Sequence, residues 1–170
     1  LPEVKIFGET QICEGNSTTL WVEGDATRYT WTNTGEQSDT IYPVINKSTT
    51  FTVLAENVAG CTATATKTVA SKPYPVLNYS APATICEGEE MNIIVNGAEE
   101  YKWQDGSTSN TYSATLYSNS TFTVIGTSNG CSTTENFTVN VLPLPYIWIT
   151  GTSDICLNDK VTLDVKGAST

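Results

Sequence analysis

A short sequence recurs three times in this chain, and its spacing constrains the fold more than any other feature. Residues 12–15 read Ile-Cys-Glu-Gly, residues 85–88 read the same, and residues 155–158 read Ile-Cys-Leu-Asn, so the cysteines are 73 and then 70 residues apart. A proline stands eleven residues before each cysteine, and a glycine stands eleven residues after it. A fixed period of this length indicates tandem copies of one small structural unit.

Further motifs recur at the same period and define the copies. They are Tyr-x-Trp at 29–31 and 101–103, Thr-Phe-Thr-Val at 50–53 and 121–124, and Gly-Cys at 60–61 and 130–131. The matches predict a first repeat at 1–71, a second at 72–142, and the N-terminal part of a third at 143–170.

Hydrophobic side chains after the first cysteine of each repeat alternate with polar ones, which is the period of a β-strand with one buried face. The inward positions are Thr18, Leu20 and Val22, then Met91, Ile93 and Val95, and then Val161, Leu163 and Val165. Two residues past the cysteine stand Gly15, Gly88 and Asn158, residue types that tolerate the left-handed backbone of a tight turn. Six or seven short strands in about 70 residues predict an all-β chain of tandem immunoglobulin-like β-sandwiches.

The tryptophan of each Tyr-x-Trp motif follows the first cysteine and precedes the second, an order that resembles an immunoglobulin domain. We therefore assign Trp31 and Trp103, with Tyr29 and Tyr101, to the cores. The second cysteine departs from that pattern, because it follows the turn into the last strand instead of lying mid-strand beside the tryptophan.

Counting within repeats pairs Cys13 with Cys61 and Cys86 with Cys131. Cys156 then has no partner in this sequence. Either its partner lies beyond Thr170, or Cys156 is a free thiol. Such a bridge would add about 4 kcal/mol to a unit that is otherwise marginal in size. Paired cysteines in small threonine-rich domains indicate an oxidising compartment outside the cytoplasm. The strand order alone does not bring Cys13 near Cys61, so this pairing depends on the count.

The joints between repeats are rich in proline, at Ser71-Lys72-Pro73-Tyr74-Pro75 and Leu142-Pro143-Leu144-Pro145. Alternating prolines hold the backbone near polyproline geometry. We expect successive sandwiches to be strung end to end as a semi-rigid rod.

Charge and composition exclude several functions. The chain has 18 acidic and 8 basic residues, a formal charge of −10 and no histidine, so nucleic acid and anionic lipid would repel it. Without histidine it has neither the imidazole base of a catalytic triad nor an imidazole ligand for zinc. The carboxylates show no glycosidase or calcium-loop pattern in register between repeats. We predict no catalytic residue, cofactor or metal site.

The N-terminus and the hydropathy indicate a mature or excised piece without a membrane span. No apolar run reaches the length of a membrane helix, and Leu1-Pro2-Glu3 lacks the basic start of a signal peptide. We expect a mature or excised piece that does not insert into the membrane.

Two tryptophans lie outside the repeated core pattern and are candidate surface-binding residues. Trp21 faces outward where the other repeats have Ile94 and Asp164, and Trp148 lies close to the second proline joint. Aromatic faces of this kind can stack on sugars or partner surfaces. The alternative is packing, with Trp21 under a neighbouring strand or loop and Trp148 against the preceding repeat.

Together these motifs resemble the Ig-like or PKD-like repeats of large Bacteroidota surface proteins secreted by the type IX system, including SprB-like gliding-motility adhesins. The resemblance covers the whole chain and is carried by Ile-Cys-x-Gly, Tyr-x-Trp, Thr-x-Thr-Val, Gly-Cys and Pro-x-Pro. It implies export across the outer membrane to the cell surface and a spacer or adhesive role. Asp39-Thr40-Ile41 also matches the short O-glycosylation pattern of such bacteria, which makes Thr40 a candidate site.

The predicted function is therefore a non-catalytic repeat segment of a secreted bacterial surface adhesin, a semi-rigid stalk with adhesive surface. Its partners would be glycans or other extracellular molecules and the neighbouring repeats. The alternative is an accessory spacer or carbohydrate-binding module of a secreted hydrolase. The rest of the parent chain separates the two, since dozens of repeats favour an adhesin and a few beside a catalytic domain favour the accessory role.

Overall fold

The computed structural model describes residues 1–151 and 154–167, and these residues form sixteen β-strands and no helix. No described segment is a helix able to cross a membrane. The strands are β1 Val4–Gly8, β2 Gln11–Cys13, β3 Leu20–Gly24, β4 Arg28–Trp31, β5 Thr40–Ile41, β6 Thr49–Glu56, β7 Thr62–Lys72, β8 Asn78–Ser80, β9 Thr84–Cys86, β10 Glu90–Asn96, β11 Glu100–Trp103, β12 Thr111–Thr115, β13 Ser120–Ser128, β14 Cys131–Leu142, β15 Trp148–Thr150 and β16 Asp164–Lys166.

The chain divides into two compact units whose limits differ from those of the sequence repeats. The first unit comprises Leu1–Leu77, Gly97–Thr108 and Val124–Glu135, and the second comprises Asn78–Asn96, Ser109–Thr123 and Asn136–Thr170. The repeat boundaries at 1–71, 72–142 and 143–170 remain a sequence prediction. Within the third repeat, residues 152–153 and 168–170 lie outside the described residues.

The first unit contains a complete β-sandwich. One sheet has the strand order β1-β3-β5 and the other β2-β7-β6-β4. Their facing side chains form one apolar core that includes Leu20, Val22 and Trp31, with Phe51 and Val53 from β6. Thr18, Leu20 and Val22 are all buried, which confirms the inward face predicted from the alternation.

Threonine side chains pair across the outer faces of neighbouring strands. Strands β6 and β7 pair over their whole shared length in antiparallel register, which places Thr50 opposite Thr68. The two hydroxyl oxygens lie 2.8 Å apart. In the second unit, Thr121 and Thr138 repeat this arrangement at 3.0 Å. Cross-strand threonine pairs suit a solvated sheet face, because the branched side chain favours the extended backbone and the hydroxyls bond to each other.

The second unit repeats the inward alternation. Its sheet β12-β10-β8 directs Met91, Ile93 and Val95 into the interior, where each is at most 1% exposed. Phe137 stacks on Phe122 at 5.9 Å between ring centroids, and on its other side it stacks on Tyr79 at 4.8 Å. Such stacked pairs add to the stabilisation that burial of the rings provides.

The sheet topology confirms the predicted fold class, tandem immunoglobulin-like sandwiches. Each of the first two repeats supplies seven strands arranged as a three-stranded and a four-stranded sheet, and the second four-stranded sheet has the order β11-β13-β14-β9. Trp31 and Trp103, at corresponding strand ends, are at most 2% exposed, as expected for the tryptophan of such domains.

The third repeat differs from its predicted pattern. Val161, Leu163 and Val165 are 40%, 58% and 66% exposed. Only the two-stranded sheet β15-β16 forms among the described residues after Leu142. Among residues 143–151 and 154–167, no second sheet covers the face that the first two repeats bury.

The glycine that recurs eleven residues after the cysteine lies against the residue that follows the recurring proline. A Cβ placed on Gly24 would collide with the carbonyl oxygen of Glu3, the residue after Pro2. A Cβ on Gly97 would likewise collide with the carbonyl oxygen of Val76, the residue after Pro75. A Cβ on Gly167 would collide with the carbonyl oxygen of Tyr146, the residue after Pro145. The glycine is therefore needed because the residues that lead into the first strand of each repeat pass directly against it.

We expect Gly97→Ala to destabilise the chain by about 2 kcal/mol more than Gly106→Ala. Both glycines have positive φ, 108° and 88°, so both substitutions carry a backbone cost. Only Gly97 faces a backbone carbonyl, while Gly106 has open space within 4 Å. Urea unfolding followed by circular dichroism measures the difference, and equal losses for the two variants would contradict the close-approach argument.

Candidate functional site

A disulfide bond joins the first repeat to the second. It links Cys13 at the end of β2 to Cys131 at the start of β14, with the Cα atoms 5.8 Å apart and 118 residues of sequence separation. Both cysteines belong to the first compact unit. The predicted pairs Cys13–Cys61 and Cys86–Cys131 are therefore wrong.

Strand direction explains why a repeat does not close its own bridge. Strand β2 runs parallel to β7 and places Cys13 beside Lys72, the last residue of β7. Cys61 stands immediately before Thr62, the first residue of that strand. Ten residue steps at ~3.3 Å separate these two ends by ~33 Å, whereas a disulfide needs Cα atoms within about 7 Å.

The second repeat has the same arrangement. Strand β9 runs parallel to β14 and pairs Cys86 with Leu142 at the end of that strand, while Cys131 opens it. The two cysteines of a repeat thus mark opposite ends of its last strand. A bridge can form only with a cysteine of another repeat.

The backbone around Cys13 is fixed by a tight turn. The N–H of Glu14 donates to the carbonyl of Lys72 at 2.8 Å, and the N–H of Asn16 donates to the carbonyl of Cys13 at 3.1 Å. Gly15 lies between them at φ 80°, the left-handed conformation predicted from the sequence. The turn directs the chain away from the strand and leaves the cysteine at its end.

Cys131 is held by a second turn and is 1% exposed. The preceding residues Asn129 and Gly130 both have positive φ, at 53° and 78°. The N–H of Asn129 donates to a carboxylate oxygen of Glu99 at 3.1 Å. This bonded turn presents the cysteine at the start of its strand.

Residues of the first unit also hold the segment that connects the repeats. The hydroxyl of Thr133 donates to the carbonyl of Pro75 at 2.7 Å. The side chain of Leu77 lies so close to Gly126 that a Cβ there would collide with it. The sulfur of Cys131 lies 4.0 Å from the carbonyl oxygen of Lys72. We call Cys13, Cys131, Thr133 and the segment 72–77 the clasp. Its chemistry is that of a covalent crosslink reinforced by packing.

The remaining cysteines, Cys61, Cys86 and Cys156, are exposed and form no disulfide within the part of the chain that the structure describes. Counting cysteines within repeats predicts bridges at Cys61 and Cys86, and the structure shows a bond at neither. Strand polarity was the missing signal, because the short parallel strands β2 and β9 decide which end each cysteine occupies.

Trp21 is 40% exposed on the outer face of β3 and is not part of the core. Its indole stacks on Phe7, directly across from it on β1, with 5.9 Å between centroids and an interplanar angle of 18°. The Lys5 ammonium lies 5.1 Å from the Phe7 centroid, and the indole N–H donates to Glu23 at 3.3 Å. These four side chains form a surface patch of aromatic and charged groups, which we call the Trp21 patch.

Trp148 is 43% exposed and lies against its own sheet. Its ring covers Gly167, where a Cβ would come within 2.7 Å of it, and its centroid lies 5.6 Å from that of Tyr146. The described contacts thus assign part of this ring to packing between β15 and the end of β16.

Thr40 lies on strand β5, which pairs with β3, and its surroundings are those of a sheet residue. Thr40 is half-buried at the edge of its sheet, opposite Trp21, and its N–H donates to the Ser38 hydroxyl at 3.1 Å. Among the described residues, no three acidic or cysteine side chains come together as a metal site. Arg28 and Glu56 form an exposed ion pair at 3.5 Å.

Comparison with known proteins finds similarity to solved structures alone. No family model matches the chain, and no curated protein matches it. A three-Ig structure of titin domains I67–I69 is 12% identical, with a TM-score of 0.43, over 98% of this chain and 76% of that one. Sidekick-1 immunoglobulin domains 1–4 are 15% identical, with a TM-score of 0.41, over 83% and 48%. The N-terminal four Ig domains of Dscam1 isoform 4.4 are 12% identical, with a TM-score of 0.33, over 78% and 42%.

Proposed function

We propose that the chain is a non-catalytic extracellular spacer whose Ig-like repeats are crosslinked to one another. The disulfide between Cys13 and Cys131 is the observation that supports this most. Structural disulfides persist in oxidising compartments outside the cytoplasm. A bond placed between repeats, instead of inside one, stabilises the array of repeats rather than a single domain.

The positions that recur in register support a structural role. They are core residues, turns, crosslinks and joints, and the outward positions vary, as Trp21, Ile94 and Asp164 do. Catalysis needs a fixed constellation of groups in a cleft. A spacer needs a repeated scaffold with a variable surface.

The more specific part of the proposal comes from the resemblance of the motifs. The parent protein is a Bacteroidota surface adhesin exported by the type IX system and active at the cell surface, with gliding motility as its setting. The Trp21 patch is its adhesive surface toward glycans or other extracellular partners, and Thr40 is a glycosylation site. The end-to-end, semi-rigid arrangement of the repeats belongs to this proposal too, and small-angle scattering tests it.

The clasp changes how tension would pass along the chain. A force applied at the two ends reaches Cys13 and Cys131 and then crosses the disulfide directly. The 118 residue steps between these cysteines lie inside a closed covalent loop. Both sandwiches are then protected from being pulled out to full length.

Single-molecule stretching between Leu1 and Thr170 tests this function. At ~3.6 Å per residue, the closed loop prevents about 420 Å of chain from being extended. We expect the oxidised chain to lack this length and the chain in reducing buffer to show it. A Cys131→Ser variant, which cannot close the loop, is the control and should show the full length in both buffers. Equal contour lengths for the oxidised and reduced parent chain would refute the proposal.

A further inference from the structure

We propose that Cys86 and Cys61 are docking sites for cysteines of the following and the preceding repeat, so that every neighbouring pair of repeats carries one disulfide. This inference deepens the proposed spacer function and depends on it. The ligand of each site is the thiol of another copy of the repeat.

Cys86 occupies the same local structure as the bonded Cys13. Each is the last residue of a short strand parallel to the end of the last strand of its repeat, beside Leu142 and Lys72 respectively. The N–H after each cysteine donates to that neighbour's carbonyl at 2.8 Å, from Glu87 to Leu142 and from Glu14 to Lys72. The turn glycines have nearly identical φ, 81° at Gly88 and 80° at Gly15.

Cys61 occupies the position that corresponds to the bonded Cys131. Both follow a glycine with positive φ, 75° at Gly60 and 78° at Gly130. Cys61 immediately precedes the last strand of its repeat, and Cys131 begins it. They differ in burial, because Cys61 is exposed and Cys131 is 1% exposed. The buried cysteine is the one bonded to Cys13, and the exposed one forms no disulfide among the described residues.

Strand polarity makes the pairing directional. The first cysteine of one repeat bonds to the second cysteine of the next, as Cys13 bonds to Cys131. By this rule Cys86 bonds to the cysteine of the Gly-Cys motif in the third repeat, and Cys61 bonds to the first cysteine of a preceding repeat. Cys156 corresponds to Cys86 and would bond to the second cysteine of a fourth repeat. Formation of each bridge joins two sulfurs and releases two protons and two electrons. A disulfide oxidant of the extracytoplasmic compartment accepts the electrons and is itself reduced to thiols.

Such bridges overlap along the chain and shorten the covalent path through an array. From Cys131 the backbone runs only about 25 residues to Cys156, where the next bridge in the same series begins. At ~3.6 Å per residue this is about 90 Å of extensible chain for every two repeats. A force that unfolds one sandwich would therefore gain little length.

The test completes the third repeat in the full chain. A second copy of residues 101–142 is appended after Thr170, which continues the register because Gly167 corresponds to Gly97. The extended chain is refolded at low concentration with oxidised and reduced glutathione, alkylated, digested without reduction and mapped by mass spectrometry. We expect a bridge from Cys86 to the appended copy of Cys131, the original Cys13–Cys131 bridge, and an alkylated Cys61. With serine in the appended copy in place of that cysteine, Cys86 should be alkylated.

A second variant covers the case in which the appended segment does not fold. It carries residues 1–142 followed by a second copy of 73–142, so that the added repeat has the complete sequence of the second repeat and a Leu-Pro-Tyr-Pro joint. Cys86 alkylated in both extended chains, with Cys13–Cys131 intact, would overturn the inference and leave the proposed function standing. Loss of the Cys13–Cys131 bridge itself would overturn both.

Discussion

Replacing Trp31 with alanine should cost the first sandwich about 4 kcal/mol, enough to unfold a domain of this size at moderate urea concentration. The side chain is 0% exposed, and large-to-small substitutions of buried aromatic residues cost roughly 3–5 kcal/mol through lost burial and the cavity left behind. The substitution also leaves the carbonyl of Ser38 without the indole N–H that donates to it at 2.9 Å. Urea unfolding monitored by circular dichroism measures the shift of the first transition.

Trp21→Ala is the matched control, because it removes the same side chain from the surface. Trp21 is 40% exposed and makes one aromatic stack with Phe7, so the expected cost is about 1 kcal/mol. A loss as large as that of Trp31→Ala would contradict the assignment of the two rings to surface and core. Since the control stays folded, it also tests the adhesive surface on a glycan array, where the parent chain should bind and Trp21→Ala should not.

Removing the clasp bridge should lower stability by about 4 kcal/mol. A disulfide that closes a long loop restricts the unfolded chain, and loop-closure entropy gives about 5 kcal/mol for a separation of 118 residues, of which natural bridges deliver roughly 2–4. The variant is Cys13→Ser/Cys131→Ser, which leaves neither partner free to exchange. Its unfolding midpoint should fall, and reductant should have no further effect on it.

The double variant Cys61→Ser/Cys86→Ser is the control and should unfold like the parent chain, because both residues are exposed and unbridged. This comparison separates the two possible pairings. If each repeat closed its own bridge, each double variant would break both bridges, and the two would lose equal stability. Unequal losses support a bond between repeats.

The sequence predicted the fold well because its signals are local and repeated. Alternation at Leu20 and Val22, and again at Ile93 and Val95, identified strands with one buried face, and all four side chains are buried. The turn after the first cysteine was predicted from the residue types at Gly15, Gly88 and Asn158. These features depend on a few neighbouring residues, and a second copy of each reduces the chance of error.

The clasp could not be predicted in the same way. Its geometry depends on β2, which has three residues, Gln11–Cys13, and a strand that short shows no periodicity to reveal its direction. The spacing of the cysteines shows how many residues separate them. It does not show at which end of the sandwich each cysteine lies. The recurring proline and glycine were likewise visible at 75 and 97, yet only the folded backbone shows the carbonyl of Val76 against Gly97.

The distance between the two ends of β7 also determines the order in which the chain must mature. Cys61 is synthesised long before Cys131, so it is the first thiol that a nascent Cys13 can meet. Once β2 and β7 have paired, Lys72 lies beside Cys13 and Cys61 is ~33 Å away. Pairing of these strands therefore removes the wrong partner, and the Cys13–Cys131 crosslink can form only when residues of both the first and the second repeat have reached their folded positions.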